Sequence, residues 1–536
     1  MKKFKYLAFA SIFALGLVSC GDFDDTNIDP EHLNEGNLPT EYLFTNAQHQ
    51  ALGSDWDMWR TGCIYSAQWI QHLTSIDWWP YYGRYEYSDG YSASFWDTFS
   101  GDRGAMRDIT TCYDKWQGEE GLEVDWNMAR VMRIYAFAKM SDLYGDIPYS
   151  QAGRPSQYSY TVYDKQEDIY RSMLAELDEA QANLSGTAKM GKQDVYFQGD
   201  ASKWKKFANS LMLRLAMRLV KVDEATAKTY AKKALANGLL ESNDDNVKLN
   251  HPGGVTTNDS AEPFAKINAH EDKEFFLSKT FVDILKSTND PRISLLGTVC
   301  DDPSISVQSP DFQYGNCDPA IQEGLPSGGY SNSPSSEFFI GQVDTRFNND
   351  EFLANYASKF SVPNRYTYSD PEAPTFIITY AQTQLLLAEA AFRGYIDGDA
   401  KTYFENGIRA AMAQFSQFPK ATALVNAYLT ATAVNEYVNS ELANFEGNEL
   451  DKINTQYWIN TFGDPHEAFA NWRRSDFPKL TASPYAGYKE SKSTIIPRRF
   501  CYPQTESQVN STNYNEAVNR LGSNGDRFDS RMWWDR

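Results

Sequence analysis

Between residues 204 and 219 the chain sets Trp204, Phe207, Ala208, Leu211, Met212, Leu215, Ala216 and Leu219 three and four positions apart. That is the period of an amphipathic helix. An Ala-rich stretch, Ala225 to Asn237, follows closely and stops at Gly238, a residue suited to a helix C-cap. The pattern predicts a second helix pair at Val124 to Leu143 and Lys165 to Leu184, and a third at Phe376 to Arg393 and Ala400 to Phe415. Thr40 to Ser75 and Ala93 to Trp116 form another candidate pair, joined by an aromatic connector. Repeated antiparallel pairs with small residues inside predict an all-α fold of about four TPR-like pairs, near 41–116, 124–184, 201–238 and 376–415. No clean repeat consensus recurs. The stretches 243–370 and 420–536 read as loop-rich, with Pro, Gly, Ser, Asn and Asp concentrated in Asn243 to Ala269 and Thr298 to Glu337. Folded loops of this length are usually functional surfaces.

The first residues carry an address. Lys2, Lys3 and Lys5 precede a short apolar run, Tyr6 to Val18. This reads as a signal peptide over residues 1–19, too short for a spanning helix. The run ends in Leu17-Val18-Ser19-Cys20, which resembles a bacterial lipobox, cleaved before Cys20 and lipidated on it. Residues 20–40 then read as a lipidated tether and 41–536 as the folded domain. Five other cysteines remain, Cys63, Cys112, Cys300, Cys317 and Cys501. An odd number cannot all pair internally, so this is no disulfide scaffold. Cys300 and Cys317 bracket a polar loop and read equally as a staple or as free buried thiols.

Charge narrows the partners. With 71 acidic against 50 basic residues the formal net charge is −21. Nucleic acid is excluded as a partner, because its binders need a basic face, and so is adhesion to an anionic membrane by surface charge. Aromatics stand out: 13 Trp, 33 Tyr and 31 Phe make 14% of the chain. Rings with an apolar face and a polar tip suit sugar or peptide ligands.

Catalytic patterns fail on inspection. Gly186 to Lys192 has P-loop spacing, but Gln193 stands where Ser or Thr is needed and a helix precedes it. Asp25, Asn27 and Asp29 start like a calcium loop, but Pro30 occupies the glycine position. The histidines form no zinc motif, and neither metal nor cofactor is implied. A carboxylate pair for glycoside hydrolysis stays open among so many acids.

Ligand candidates lie in aromatic loops. From Ile76 to Trp96, nine of 21 residues are aromatic. Trp78, Trp79, Tyr81 and Tyr82, around Pro80 and Gly83, are candidates for stacking on a ligand, with packing between helix pairs an equal reading. Tyr85, Phe95 and Trp96 read better as packing. Phe312, Tyr314 and Tyr330, in the long polar loop, complete the candidate set.

A family resemblance covers most of the chain past Cys20. Ser141-Asp142-Leu143-Tyr144-Gly145-Asp146-Ile147-Pro148-Tyr149 closely resembles a hallmark of the SusD/RagB family of outer-membrane nutrient-binding lipoproteins. In the family's order come Tyr163 to Tyr170, Trp204 to Arg218, Asn289-Asp290-Pro291-Arg292, Leu386 to Ala390, Trp472-Arg473-Arg474, Pro497-Arg498-Arg499 and the end Trp533-Trp534-Asp535. Gln382 departs from the pattern, where an acid is expected. Within these motifs Gly145 and Pro148 read as a helix stop. Arg214 and Arg218 share a helix face and read as partners of buried acids, with Glu389 a candidate. The resemblance implies a loop-rich ligand face on a TPR-like scaffold, a lipid anchor in the outer membrane facing outward, and no enzymatic activity. It implies a SusC-like TonB-dependent β-barrel transporter as partner, and a glycan as ligand. A peptide ligand and an extracellular carbohydrate-active enzyme are the alternatives.

Overall fold

The computed structural model describes residues 39–77, 79–98, 104–253, 261–270 and 275–536. Residues 1–38, which hold the expected signal peptide, Cys20 and most of the expected tether, lie outside that set, as does Trp78.

Four helix pairs build the scaffold. Thr40–Gln50 packs on Ala105–Trp116, Glu123–Tyr144 on Gln166–Ala182, Ala201–Arg218 on Glu224–Asn237, and Tyr380–Phe392 on Ala400–Ala413. Successive pairs also touch one another, so the scaffold is a continuous stack. Local chemistry starts these helices where they start. The Asp200, Asp223 and Asp399 side chains each accept a backbone N–H of the first turn. Thr379 and Gln382 close a reciprocal capping box. Small residues then let the helices approach. Ala227, Ala231 and Ala234 are fully buried, and a Cβ on Gly407 would lie 2.8 Å from the Leu385 side chain across the fourth pair.

The Tyr144-Gly145 stop behaves as read. Gly145 takes φ +92°, and its N–H donates to the Ser141 carbonyl at 2.8 Å. Asp146 then accepts from the Gln166 N–H and pairs with Arg520. These contacts tie the end of one helix to the start of its neighbour.

The region 243–370 is held by short pairings over a second core. Leu73–Thr74 pairs with Phe276–Leu277, and Gly297–Thr298 with Val362–Pro363, both antiparallel. Beneath them Ile76, Phe276, Leu325, Phe347 and Phe360 form an apolar cluster apart from the main core. The stretch 420–536 departs from its loop-rich expectation. It carries Ala431–Ala443, Glu449–Asn460, Pro465–Ser475 and Ser511–Arg520, and Glu449–Asn460 packs on Tyr380–Phe392. Polar residues interrupt the apolar period there, but tertiary burial of Ile453, Trp458 and Phe469 stabilises helices that propensity alone leaves marginal. Cys63, Cys112, Cys300, Cys317 and Cys501 are all buried, and no disulfide joins any two of them.

The motif arginines are scaffold, with partners the helix-face argument did not identify. Arg218 is fully buried between Asp142 and Glu467, and Arg214 lies 3.6 Å from Glu467. Glu389 pairs instead with Arg474 and Arg393. Gln382 stands in for the expected acid: its Oε1 accepts from Arg214 Nη2 at 2.5 Å.

Candidate functional site

A run of aromatic rings crosses the scaffold where the first helix pair meets the loop region. It starts on a wide, π-type helix, Met58–Ser66, entered through a Ser54–Asp57 capping box. Trp56 is 47% exposed, and its ring meets Trp59 at 5.4 Å and 72°. Trp59 meets Trp79 at 5.2 Å and 85°, and Trp79 meets Tyr81 at 6.1 Å and 71°. Tyr91 closes the group against Trp59 and Trp79. The Arg60 guanidinium lies over the Trp56 and Tyr91 rings, 5.3 and 5.6 Å from their centroids, a placement favoured by the ring quadrupole.

The Pro80–Arg84 turn carries the surface onward. Arg84 donates to the Gly329 carbonyl at 2.7 Å and pairs with Glu86. Its guanidinium sits 4.0 Å from the centroid of Phe338, which in turn meets Tyr485 and Tyr488 edge to face. Burial, then the nearby Tyr91 and Glu86, push the Tyr81 hydroxyl above its usual pKa. It stays a protonated donor beside the ring faces. Asn332 donates to Asp77 at 2.9 Å. Half-buried rings thus alternate with fixed donors and acceptors.

The candidates named from sequence fall in different places. Trp78 lies outside the described residues. Trp79 and Tyr81 sit half-buried in the aromatic run. Tyr82 is only 6% exposed, its ring packed on Tyr65 at 4.9 Å. That leaves little of it for a ligand. Tyr85 and Phe95 are buried in the core. Phe312 and Tyr314 form another half-buried group: Tyr314 stacks on Tyr366 at 4.4 Å and 23°, and Arg365 covers Phe312. Tyr330 is 7% exposed, meets Tyr485 at 5.8 Å, and forms part of the wall of a polar cleft. Trp56, Trp59, Phe338 and Tyr488 were not anticipated. Trp56 and Trp59 were readable as an i, i+3 pair, the spacing of one helix face; Phe338 and Tyr488 reach the surface through long-range contacts alone.

Comparison with known proteins bears on this arrangement. The SusD-like family described as "Starch-binding associating with outer membrane" matches residues 32–503. No curated protein sequence matches the chain. A solved structure named "chitin-binding protein" superposes with a TM-score of 0.75 at 28% identity, covering 93% of this chain and all of that one. A Bacteroidetes SusD-like structure gives a TM-score of 0.76 at 27% identity, again over 93% of this chain and 100% of the other. A chitin-binding SusD homologue from Flavobacterium johnsoniae gives 0.68 at 25% identity, over 92% and 98% of the two chains. The stacked helix pairs, the ordered motifs and the family match over most of the length agree: the chain belongs to the SusD-like family.

Proposed function

We propose that this protein is a surface lipoprotein that binds a glycan on the aromatic run and delivers it to a SusC-like TonB-dependent β-barrel transporter. The observation that carries the reading is the chain Trp56–Trp59–Trp79–Tyr81 with Arg60 and Arg84 beside it. Sugar rings stack their C–H faces on aromatic planes, and fixed charged groups orient their hydroxyls. Neighbouring rings meet edge to face at 71° to 85°, so their exposed parts lie in different planes along one surface. Chitin and starch oligosaccharides are the first ligands to try, given what the related proteins are named for. Calorimetry with chitohexaose and maltohexaose tests the reading; binding of neither, in a folded protein, counts against it.

A binding role, rather than hydrolysis, fits the state of Asp344 in the cleft beside the aromatic run. A glycosidase needs one acid held protonated near neutral pH. The Arg346 hydrogen bonds instead hold Asp344 below the usual carboxylate range. Release of reducing sugar by purified protein would favour the enzyme alternative, and a peptide bound in place of glycan would favour the peptide-carrying one.

The anchor is placed on Cys20, outside the described residues. Among those described, no helix is long and apolar enough to cross a membrane. Cys20→Ala is expected to leave the fold intact and release the protein from the membrane fraction when the barrel is absent; retention would argue against lipidation. Co-purification with a TonB-dependent barrel from native membranes tests the partner.

A further inference from the structure

We propose that the polar cleft next to the aromatic run is a second saccharide site, taking a short, neutral oligosaccharide independently of the rings. The inference rests on the glycan-binding reading above. The cleft has a volume of about 830 Å³, within the range of sites that enclose small ligands. None of Trp56, Trp59, Trp79, Tyr81, Tyr91 or Phe338 forms its wall.

Its walls come from segments far apart in sequence, pinned together. Gln71 donates to the Thr481 carbonyl at 2.6 Å and accepts from Thr280 at 2.6 Å. The Tyr85 hydroxyl accepts from the Ser483 N–H at 2.8 Å. Both Gln71 and Tyr85 hold left-handed backbone, φ 57° and 65°, conformations that non-glycine residues keep only where the surroundings enforce them, and that gather at binding sites. Glycines form part of the wall. A Cβ on Gly83 would lie 2.9 Å from the Gly329 nitrogen, and one on Gly324 would lie 2.4 Å from the Ser278 carbonyl oxygen. Side chains at these positions would push the walls apart.

The chemistry selects the ligand. Lys279 pairs with Asp283, and Arg346 with both Glu323 and Asp344, at 2.5 to 2.7 Å. Both cations are matched by acids inside the cleft, and the third acid leaves one net negative charge that turns anionic ligands away. Such pairs present donors and acceptors side by side, which a hydroxyl uses together because it both gives and takes a hydrogen bond. Tyr330, Pro326, Pro484 and the exposed Val343 supply apolar surface between these polar groups. Apolar patches interleaved with paired charges match a sugar ring, with its C–H face and its rim of hydroxyls.

The test is calorimetry of the mature chain with chitotriose, maltotriose, cellotriose and xylotriose, on the wild type and on Val343→Trp, Glu323→Gln and Trp79→Ala. Melting curves establish that each variant is folded. Val343→Trp fills the cleft from its exposed rim; Glu323→Gln removes an acceptor should the larger side chain disturb the loop. The expected result is two saccharides per chain. Val343→Trp leaves one, Glu323→Gln weakens that same site about tenfold, and Trp79→Ala removes only the other. One saccharide per chain, lost in Trp79→Ala and unchanged in both cleft variants, overturns the second site and leaves the aromatic reading standing. Binding lost only in the cleft variants supports the cleft and overturns the aromatic reading. Failure of all four trisaccharides to bind the wild type overturns the cleft as a neutral-saccharide site.

Discussion

Arg474 holds Glu389 through two parallel hydrogen bonds, Nη1 to Oε1 and Nη2 to Oε2, each 2.7 Å, with both side chains removed from solvent. Arg393 adds a third bond at 2.8 Å, and Asn454 donates to the same carboxylate. The pair joins Tyr380–Phe392 to Pro465–Ser475 and so fastens the last scaffold pair to the C-terminal helices.

Breaking that pair is expected to be costly. Burial alone would raise the Glu389 pKa, but the Arg474 and Arg393 guanidiniums outweigh it and hold the carboxyl at about 2. A depressed carboxylate adds stability that is complete above its unfolded pKa, near 4.5, and lost as pH falls towards 2. Arg474→Leu, which strands a buried charge, should destabilise by about 3–5 kcal/mol at pH 7. Glu389→Gln should be destabilised at pH 7, and the gap to wild type should close between pH 4.5 and 2. Denaturant melts across that range check both; a constant gap would contradict the linkage.

Glu262 runs the other way. Burial pushes its pKa up to about 7, against the lowering effect of bonds from the Ala265 N–H at 2.6 Å and the Thr375 hydroxyl at 2.8 Å. A raised carboxyl contributes stability fully below its unfolded pKa and loses it as pH climbs through 7. Glu262→Gln keeps an acceptor without a charge. It should melt with wild type at pH 4.5 and above it at pH 8, by on the order of 3 kcal/mol. Equal melting at pH 8 would mean the carboxyl ionises there without penalty.

Two neighbouring aromatics should behave oppositely. Trp79→Ala is expected to weaken glycan binding roughly tenfold or more while lowering stability little, since the ring is only half buried. Tyr82→Ala empties a packed position and should cost about 3–5 kcal/mol. Paired melting and binding measurements separate them. A Trp79→Ala protein of normal affinity would remove that ring from the ligand face.

Gln382 serves two roles at one amide oxygen. It accepts from Arg214 and caps the Thr379 N–H. Gln382→Leu should therefore cost about 2–3 kcal/mol, a cap plus a bond to a buried cation. A loss under about 0.5 kcal/mol would show that Glu467 and the Ile377 carbonyl satisfy Arg214 without it.

Helix existence was legible because the apolar period, Asp and Thr caps and the Gly145 and Gly238 stops are local. They act within a few residues and need no partner. The family motifs were legible for the same reason, as short ordered strings. The helices after residue 420 were not, since their period is broken and burial by distant segments stabilises them.

The sequence by itself determined the helix pairs, the acidic and aromatic character, and the signal-like start. Tertiary structure alone decided which rings face outward. Trp79 and Tyr82 are three residues apart with similar rings, yet one edges the surface and the other fills the space beside Tyr65. It also decided that Glu389 meets Arg474 rather than Arg214 or Arg218. All three arginines are buried cations with acids in reach, and only the packing angle of helices far apart in sequence selects the partner.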